Sequence, residues 1–199
     1  MEIKEWFSRF DLDCFAFFGS RQSDFLTAVA KFFSTQNTVL LIVGIVSLAV
    51  LCLIPRTRKI GFAALFAVAA GYLLVHGVVK PLAGRARPYV ALRDNAQYMA
   101  WFRNVKMPVS DDASFPSGHA AFVASVTTVL FLCHAASGRK AAKAVAWVFP
   151  LLAVFAGCTR VYLMVHYATD AIAGLLIGAL SGAAGYLLFA GRRRVFFRD

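Results

Sequence analysis

The sequence predicts an all-α fold, an integral-membrane helical bundle with five to six membrane helices. An N-terminal interfacial amphipathic segment precedes these helices, and residues 1–199 form a single membrane-embedded domain. Hydrophobic residues make up 60% of the chain and charged residues 16%, whereas a soluble domain has about half and about a quarter. Several apolar runs also approach the roughly 20 residues that a helix needs to cross a bilayer. A water-soluble fold is excluded because too few polar residues remain to cover its surface.

Residues 1–37 predict an interfacial segment rather than a membrane span. Aromatic residues alternate there with charged ones, which is typical of amphipathic helices that lie at a membrane surface. The favoured interpretation is a membrane anchor without a catalytic part. The alternative is a wall of the cleft through which a lipid reaches the site.

Five apolar runs follow, and each predicts a membrane helix. They cover residues 38–54, 60–79, 119–136, 144–158 and 171–190. The last run carries Gly174, Gly178, Gly182 and Gly185, and small residues at this spacing allow helices to pack closely in lipid.

Charge orients these helices. Segments 55–59 and 137–143 and the tail after residue 191 carry ten Lys and Arg and one acid, so the positive-inside rule makes them cytoplasmic. The opposite face keeps the other eleven Lys and Arg, which that rule does not explain. We therefore expect a multi-pass protein of the inner (cytoplasmic) membrane with its active face toward the periplasm. Nucleic acid is not an expected partner, because the basic residues are distributed by membrane side.

Three polar clusters lie where the apolar runs meet this outer face: residues 80–88, 115–119 and 159–170. Each alone has an ordinary explanation as an interfacial anchor, a helix cap or an interfacial histidine. Together they bring Lys80, Arg87 and Arg160 to one face, and such cations suit phosphate oxygens. Ser117 at the start of a helix adds backbone N–H groups and a positive dipole end.

Two histidines complete the predicted chemistry. His166 and Asp170 are four residues apart, hence on one helix face if the helix has begun by His166. A carboxylate bound to one ring nitrogen leaves the other nitrogen free to attack, and His119 could protonate a leaving oxygen. The sequence has neither a carboxylate cluster nor a Cys/His spacing typical of a metal site. We therefore expect no metal and no other cofactor.

The three motifs closely resemble the signature of the type 2 phosphatidic acid phosphatase superfamily. They read Lys80-x6-Arg87-Pro88, Pro116-Ser117-Gly118-His119 and Arg160-x5-His166-x3-Asp170. That family includes membrane lipid phosphate and diphosphate phosphatases, class A acid phosphatases and vanadium haloperoxidases.

The resemblance implies a role for each matching residue. His166 would be the nucleophile that forms a phosphohistidine, Asp170 would orient it, and His119 would be the general acid. The phosphoryl group would be bound by Lys80, Arg87, Arg160, Ser117 and the Gly118 amide. Two secondary candidates are Thr159, which replaces the family's usual serine, and Arg85, for which an interfacial anchor is the alternative.

The implied function is a metal-independent membrane lipid phosphatase with a lipid phosphate or diphosphate as its partner in the bilayer. The favoured substrate is an isoprenyl diphosphate such as undecaprenyl diphosphate. The alternatives are phosphatidylglycerophosphate, phosphatidic acid or lipid A 1-phosphate, or a lipid phosphotransferase that uses the same intermediate. Residues 80–118 form the outer loop, whose aromatic part, 89–107, is interpreted as a lid or as an interfacial belt.

Overall fold

The chain is helical through most of the residues that the computed structural model describes, which are 3–34, 38–137 and 139–191. Within these ranges the α-helices are α1 (Ile3–Gly19), α2 (Asp24–Phe32), α3 (Thr38–Leu53), α4 (Arg58–Tyr72), α5 (Lys80–Ala83), α6 (Pro88–Ala91), α7 (Ala96–Val105), α8 (Gly118–Ala135), α9 (Lys140–Ala146), α10 (Val148–Tyr162) and α11 (Ala168–Gly185). π-Helical turns continue α4 over Leu73–Val79 and α11 over Tyr186–Ala190. The all-α prediction is confirmed. The basic tail after Gly191, assigned to the cytoplasm by its charge, lies outside the described residues.

Four of the five predicted spans coincide with helical stretches of the described chain that are long and apolar enough to cross a membrane. These stretches are Arg58–Ala91, Gly118–Ala135, Lys140–Tyr162 and Ala168–Ala190. The first predicted span forms α3, whose 16 residues measure about 24 Å, against about 30 Å for the hydrocarbon core. The helix ends just before Pro55, because a proline disfavours helical backbone in the residue that precedes it.

Glycines let α8 and α11 pack backbone to backbone. A β-carbon added at Gly174 would lie 2.3 Å from the carbonyl oxygen of Ser117, and one at Gly178 would lie 2.3 Å from that of Ala121. Larger residues would force the helices apart, so the predicted close packing of this face is confirmed. The contact brings the starts of the two helices together, and there the Ser117 N–H donates to the Asp170 carbonyl over 3.0 Å.

The N-terminal helix α1 and the outer helix α7 cover the turn between α10 and α11. Phe15 of α1 packs against Tyr98 of α7 and Tyr167 of the turn, with ring centroids 5.0 and 5.6 Å apart. The Tyr98 hydroxyl donates to the Met164 carbonyl over 2.6 Å. Residues of the predicted interfacial segment therefore take part in fixing the turn that carries His166.

The aromatic part of the outer loop packs largely inward. Tyr98 and Phe102 are buried, and Phe102 stacks on Tyr89 with 4.8 Å between ring centroids. These rings stabilise α6 and α7 against the bundle, which limits the surface that a lid could offer to a lipid chain. The lid function stays a prediction.

Candidate active site

His166 lies in the turn between α10 and α11, and Asp170 lies in the first turn of α11. The imidazole Nδ1 is 3.5 Å from Asp170 Oδ2, and both side chains are buried. α11 begins at Ala168, so the two residues do not share a helix face as their spacing suggested. Instead the Asp170 carboxylate accepts the Tyr167 N–H over 3.1 Å, and this helix cap turns the carboxylate back toward His166.

The other ring nitrogen of His166 faces a cation. Its Nε2 lies 3.0 Å from Arg87 Nη1, which also donates to the Val165 carbonyl over 3.0 Å. Burial, followed by the charges of Arg87 and Arg160, lowers the pKa of His166 to about 4, although the contact with Asp170 raises it. The imidazole is therefore neutral at pH 7, which leaves a ring nitrogen with a lone pair for attack.

Lys80 and Arg87 converge on one anion, the carboxylate of Asp112. Lys80 Nζ forms an ion pair with Asp112 Oδ2, and Arg87 Nη2 donates to Oδ1 over 2.5 Å. Burial raises the pKa of Asp112, but hydrogen bonds from Lys80, Ser110 and Arg87 hold that pKa well below its usual range. The two cations thus converge on the oxygen atoms of one carboxylate.

Arg160 and His119 present buried polar atoms to the same region. Arg160 Nη1 donates to Ser34 Oγ over 2.7 Å, while its Nε has no partner among the described residues. Both ring nitrogens of His119 are likewise buried, and among the described residues the backbone of Phe33 lies close enough to interact with the ring. Arg160 and His166 are close enough to His119 for their charges to act on it. Buried polar groups normally have a partner, so these atoms point to a ligand or water.

Ser117 and Gly118 begin α8 beside this cluster. Ser117 is the N-cap, and its Oγ accepts the Ala120 N–H over 3.4 Å. A β-carbon at Gly118 would lie 2.8 Å from His76 Nε2, so glycine permits the close approach. The start of α8, with its positive dipole end, lies beside Asp170, because the Ser117 N–H donates to the Asp170 carbonyl.

The two secondary candidates lie elsewhere. The Thr159 hydroxyl donates to the Ala156 carbonyl over 2.8 Å, and Thr159 lines an apolar cavity beside α1 and α2. Arg85 is bonded to two carboxylates, Asp11 and Asp170, through 2.7 Å and 2.6 Å contacts. The structure therefore brings neither residue to the anion held by Lys80 and Arg87.

Three buried or ion-paired residues of the site are absent from the sequence-based prediction: Asp11, Asp112 and Ser114. Ser114 Oγ donates to Asp170 Oδ2 over 2.5 Å, directly beside His166. Asp112 and Ser114 immediately precede the second motif, which is a signal for the site. Asp11 shares a helix face with Phe15. A carboxylate on an apolar helix face indicates a hydrogen-bond or ion-pair partner, because charged side chains are almost never buried unpaired.

The described part of the chain holds no group of three or more His, Cys, Asp or Glu side chains placed to bind a metal ion. Lys80, Arg87 and Arg160 supply positive charge at the site, and these side chains are all buried. A cationic set of donors suits an anionic ligand such as phosphate.

A family model described as the PAP2 superfamily matches residues 60–194, which include all three motifs. The chain belongs to the PAP2 superfamily. Its curated relatives include the bacitracin transport permease protein BcrC of Bacillus licheniformis, 28% identical over 179 residues, or 88% of this chain and 78% of the relative. The undecaprenyl-diphosphatase of Sulfolobus acidocaldarius is 30% identical over 132 residues, or 66% of this chain and 56% of the relative.

The fold also matches a solved PAP2 protein. A crystal structure described as the first transmembrane PAP2 type phosphatidylglycerolphosphate phosphatase from Bacillus subtilis aligns with a TM-score of 0.66 and 23% identity, over 92% of this chain and 86% of that one. With its apolar helices, this PAP2 chain is a multi-pass membrane lipid phosphatase.

Proposed function

We propose that this PAP2 phosphatase hydrolyses an isoprenyl diphosphate, such as undecaprenyl diphosphate, through a phosphohistidine on His166. The observation that carries the proposal is the placement of the neutral His166 Nε2 at 3.0 Å from Arg87, which with Lys80 already holds an anion. A nucleophile beside a preformed phosphate-binding group is the arrangement that phosphoryl transfer needs. The undecaprenyl-diphosphatase among the relatives supports this substrate.

The reaction consists of two displacements at phosphorus. His166 Nε2 attacks the terminal phosphorus, the bond to the leaving oxygen breaks, and His119 gives that oxygen a proton. Water then attacks the phosphohistidine, the P–N bond breaks, and His119 takes a proton from the water. Lys80, Arg87 and Arg160 offset the negative charge on the phosphoryl oxygens, so the proposed steps require no metal ion.

The proposed location of this site is the periplasmic face of the inner membrane. The site is built from α5, which directly continues α4 and its π-helical turns, from Arg87 before α6, and from the start of α8, the end of α10 and the start of α11. The short basic segments 55–59 and 137–143 join the opposite ends of these helices, and such segments favour the cytoplasm.

A substrate panel in detergent micelles tests the proposed function. Undecaprenyl diphosphate is expected to give a kcat/KM at least about tenfold above phosphatidylglycerophosphate, phosphatidic acid and lipid A 1-phosphate, because a diphosphate brings more negative charge to three cations. Release of inorganic phosphate measures each rate. Water-soluble head groups without a lipid tail serve as the comparison that measures how much the lipid tail contributes to kcat/KM.

Other outcomes separate the alternatives. A higher kcat/KM for phosphatidylglycerophosphate, phosphatidic acid or lipid A 1-phosphate would replace the isoprenyl assignment with that lipid. Transfer of the phosphoryl group to an added acceptor lipid, in place of its release, would identify a phosphotransferase.

Asp112→Asn is expected to make inorganic phosphate a tighter inhibitor by about tenfold, which corresponds to about 1.4 kcal/mol. The carboxylate competes with phosphate for Lys80 and Arg87, and the asparagine keeps its shape without its charge. Two unit charges about 5 Å apart at an effective dielectric of about 20 interact by about 3 kcal/mol. Removal of one charge is therefore enough to account for the expected change in the binding free energy of phosphate. The inhibition constant of phosphate is the measurement.

Asp111→Asn provides the control, because it removes the same charge from the exposed neighbouring residue. An equal gain in both variants would show a general charge effect. Weaker phosphate binding in Asp112→Asn would show that Asp112 orients Lys80 and Arg87 instead of competing with the substrate.

A further inference from the structure

Asp11 of the N-terminal helix is buried although α1 lies outside the three motifs. Its side chain has no exposed surface, and its carboxylate accepts three hydrogen bonds. Oδ1 accepts the Thr169 N–H over 2.9 Å, while Oδ2 accepts the Thr169 hydroxyl over 2.8 Å and Arg85 Nη2 over 2.7 Å. These three hydrogen bonds, one of them from a guanidinium, fix the carboxylate in place. Thus α1 is tied to the first turn of α11, one residue before Asp170.

Arg85 continues this chain of contacts to the site. Its Nη1 donates to Asp170 Oδ1 over 2.6 Å and to Thr169 Oγ1 over 2.7 Å. The guanidinium also lies over the Tyr167 ring, 3.6 Å from the centroid. Two carboxylates and one aromatic face therefore hold a single cation in one orientation.

The two oxygens of Asp170 are divided between different partners. Oδ1 faces Arg85, whereas Oδ2 faces the Ser114 hydroxyl, the Tyr167 N–H and His166 Nδ1. Arg85 thus fixes the rotation of the carboxylate, and this rotation presents Oδ2 to the imidazole. Loss of Arg85 would leave Oδ1 without this charged partner, and only the contacts of Oδ2 would then hold the rotation of the carboxylate.

We propose that Asp11 and Arg85 are positioning residues for catalysis: Asp11 holds Arg85, and Arg85 holds Asp170 so that Oδ2 faces His166 Nδ1. The inference rests on the proposed role of His166 as nucleophile. It gives the N-terminal segment a function in the reaction, in place of an anchor without a catalytic part. It also separates Arg85 from the phosphate-binding cations.

The test uses the purified full-length enzyme in detergent, with Asp11→Asn, Arg85→Met and Arg85→Lys. We expect Asp11→Asn and Arg85→Met each to lower kcat by about tenfold or more, with Arg85→Lys intermediate, because misorientation of a catalytic group affects the reacting geometry. The inhibition constant of inorganic phosphate is expected to stay within about twofold, since Lys80, Arg87 and Arg160 are untouched. The double variant Asp11→Asn/Arg85→Met is expected to be no slower than Arg85→Met, because the two residues act through one chain of contacts.

The chain offers matched controls for both substitutions. Asp13→Asn removes an exposed carboxylate from the same helix, and Arg93→Met removes an exposed arginine from the outer loop. Both are expected to keep kcat within about twofold, as surface substitutions usually do.

The pH dependence of kcat/KM provides a readout that a purely structural contact would not move. The wild-type value is expected to fall as the pH drops through the pKa of His166, which is lowered to about 4. In Arg85→Met the negative charge of Asp170 is no longer offset, so it stabilises the imidazolium form of His166 and raises the pKa of His166. The decrease in kcat/KM is therefore expected to occur at higher pH in this variant than in the wild type. The other groups that face His166 are Ser114, Arg87, Arg160 and His119, and the substitution leaves them in place.

Trapping of the phosphoenzyme from radiolabelled substrate separates failure of this inference from failure of the proposed function. If the wild type forms no phosphohistidine, the proposed function is wrong. If the wild type forms it and the Asp11 and Arg85 variants form it at the wild-type rate, with only a lower Tm, the pair is a structural tie and the inference is overturned. Weaker phosphate inhibition in Arg85→Met would instead make Arg85 a phosphate ligand and would also overturn it.

Discussion

His166→Asn is expected to lower kcat by at least about a thousandfold and to eliminate the phosphoenzyme. The imidazole Nε2 is the only atom at this position that can form the bond to phosphorus, and an asparagine amide nitrogen is not nucleophilic. Lys80, Arg87 and Arg160 remain, so the variant should still bind phosphate. Steady-state hydrolysis and trapping with radiolabelled substrate measure the two effects.

A histidine outside the three motifs provides the control. His134 lies in the last turn of α8, and its Nδ1 is 2.8 Å from the Leu130 carbonyl, away from the three motifs. His134→Asn is expected to retain activity within about twofold. Substantial hydrolysis by His166→Asn would exclude the phosphohistidine and would favour direct attack by water.

His119→Ala is expected to slow hydrolysis of a lipid phosphate by about 10²–10⁴-fold, the usual contribution of a general acid. The departing group is then an alkoxide or a phosphate that no longer receives a proton in the transition state. An aryl ester such as p-nitrophenyl phosphate has a leaving group that needs no proton, so its hydrolysis should fall far less. The ratio of the two rates in wild type and variant is the measurement.

This ratio separates acid catalysis from phosphate binding. If both substrates lose activity equally, His119 stabilises the phosphoryl group instead of the leaving oxygen. If neither loses activity, another group protonates the leaving oxygen, and the buried ring nitrogens of His119 have a structural explanation.

Much of the site could be predicted because its residues lie in short, ordered motifs. In the segment from Pro116 to His119, a helix cap stands just before a histidine. A local motif of this kind can be recognised from neighbouring residues without knowledge of the fold. The cations Lys80 and Arg87 are a local signal as well, since both lie within nine residues at the end of one apolar run. The structure shows both side chains on one anion, the carboxylate of Asp112.

Other features could not be predicted because they depend on contacts between distant parts of the chain. Asp11 and Asp170 are separated by most of the sequence, and only the packing of α1 against α11 brings them to the same guanidinium. Thr159 precedes Arg160 by one residue, yet a step of one residue in a helix changes the direction of a side chain by about 100°. Thr159 therefore lines an apolar cavity while Arg160 points toward the site.

The membrane class, the order of the apolar helices and the three polar motifs could be predicted from the amino-acid sequence, because hydropathy and local motifs are properties of neighbouring residues. The folded chain was needed to show which oxygen of Asp170 faces His166, which carboxylate lies between Lys80 and Arg87, and that α1 contacts the first turn of α11. These choices depend on distances of about 3 Å between side chains on different helices, and close packing of α8 on α11 at Gly174 and Gly178 sets such distances.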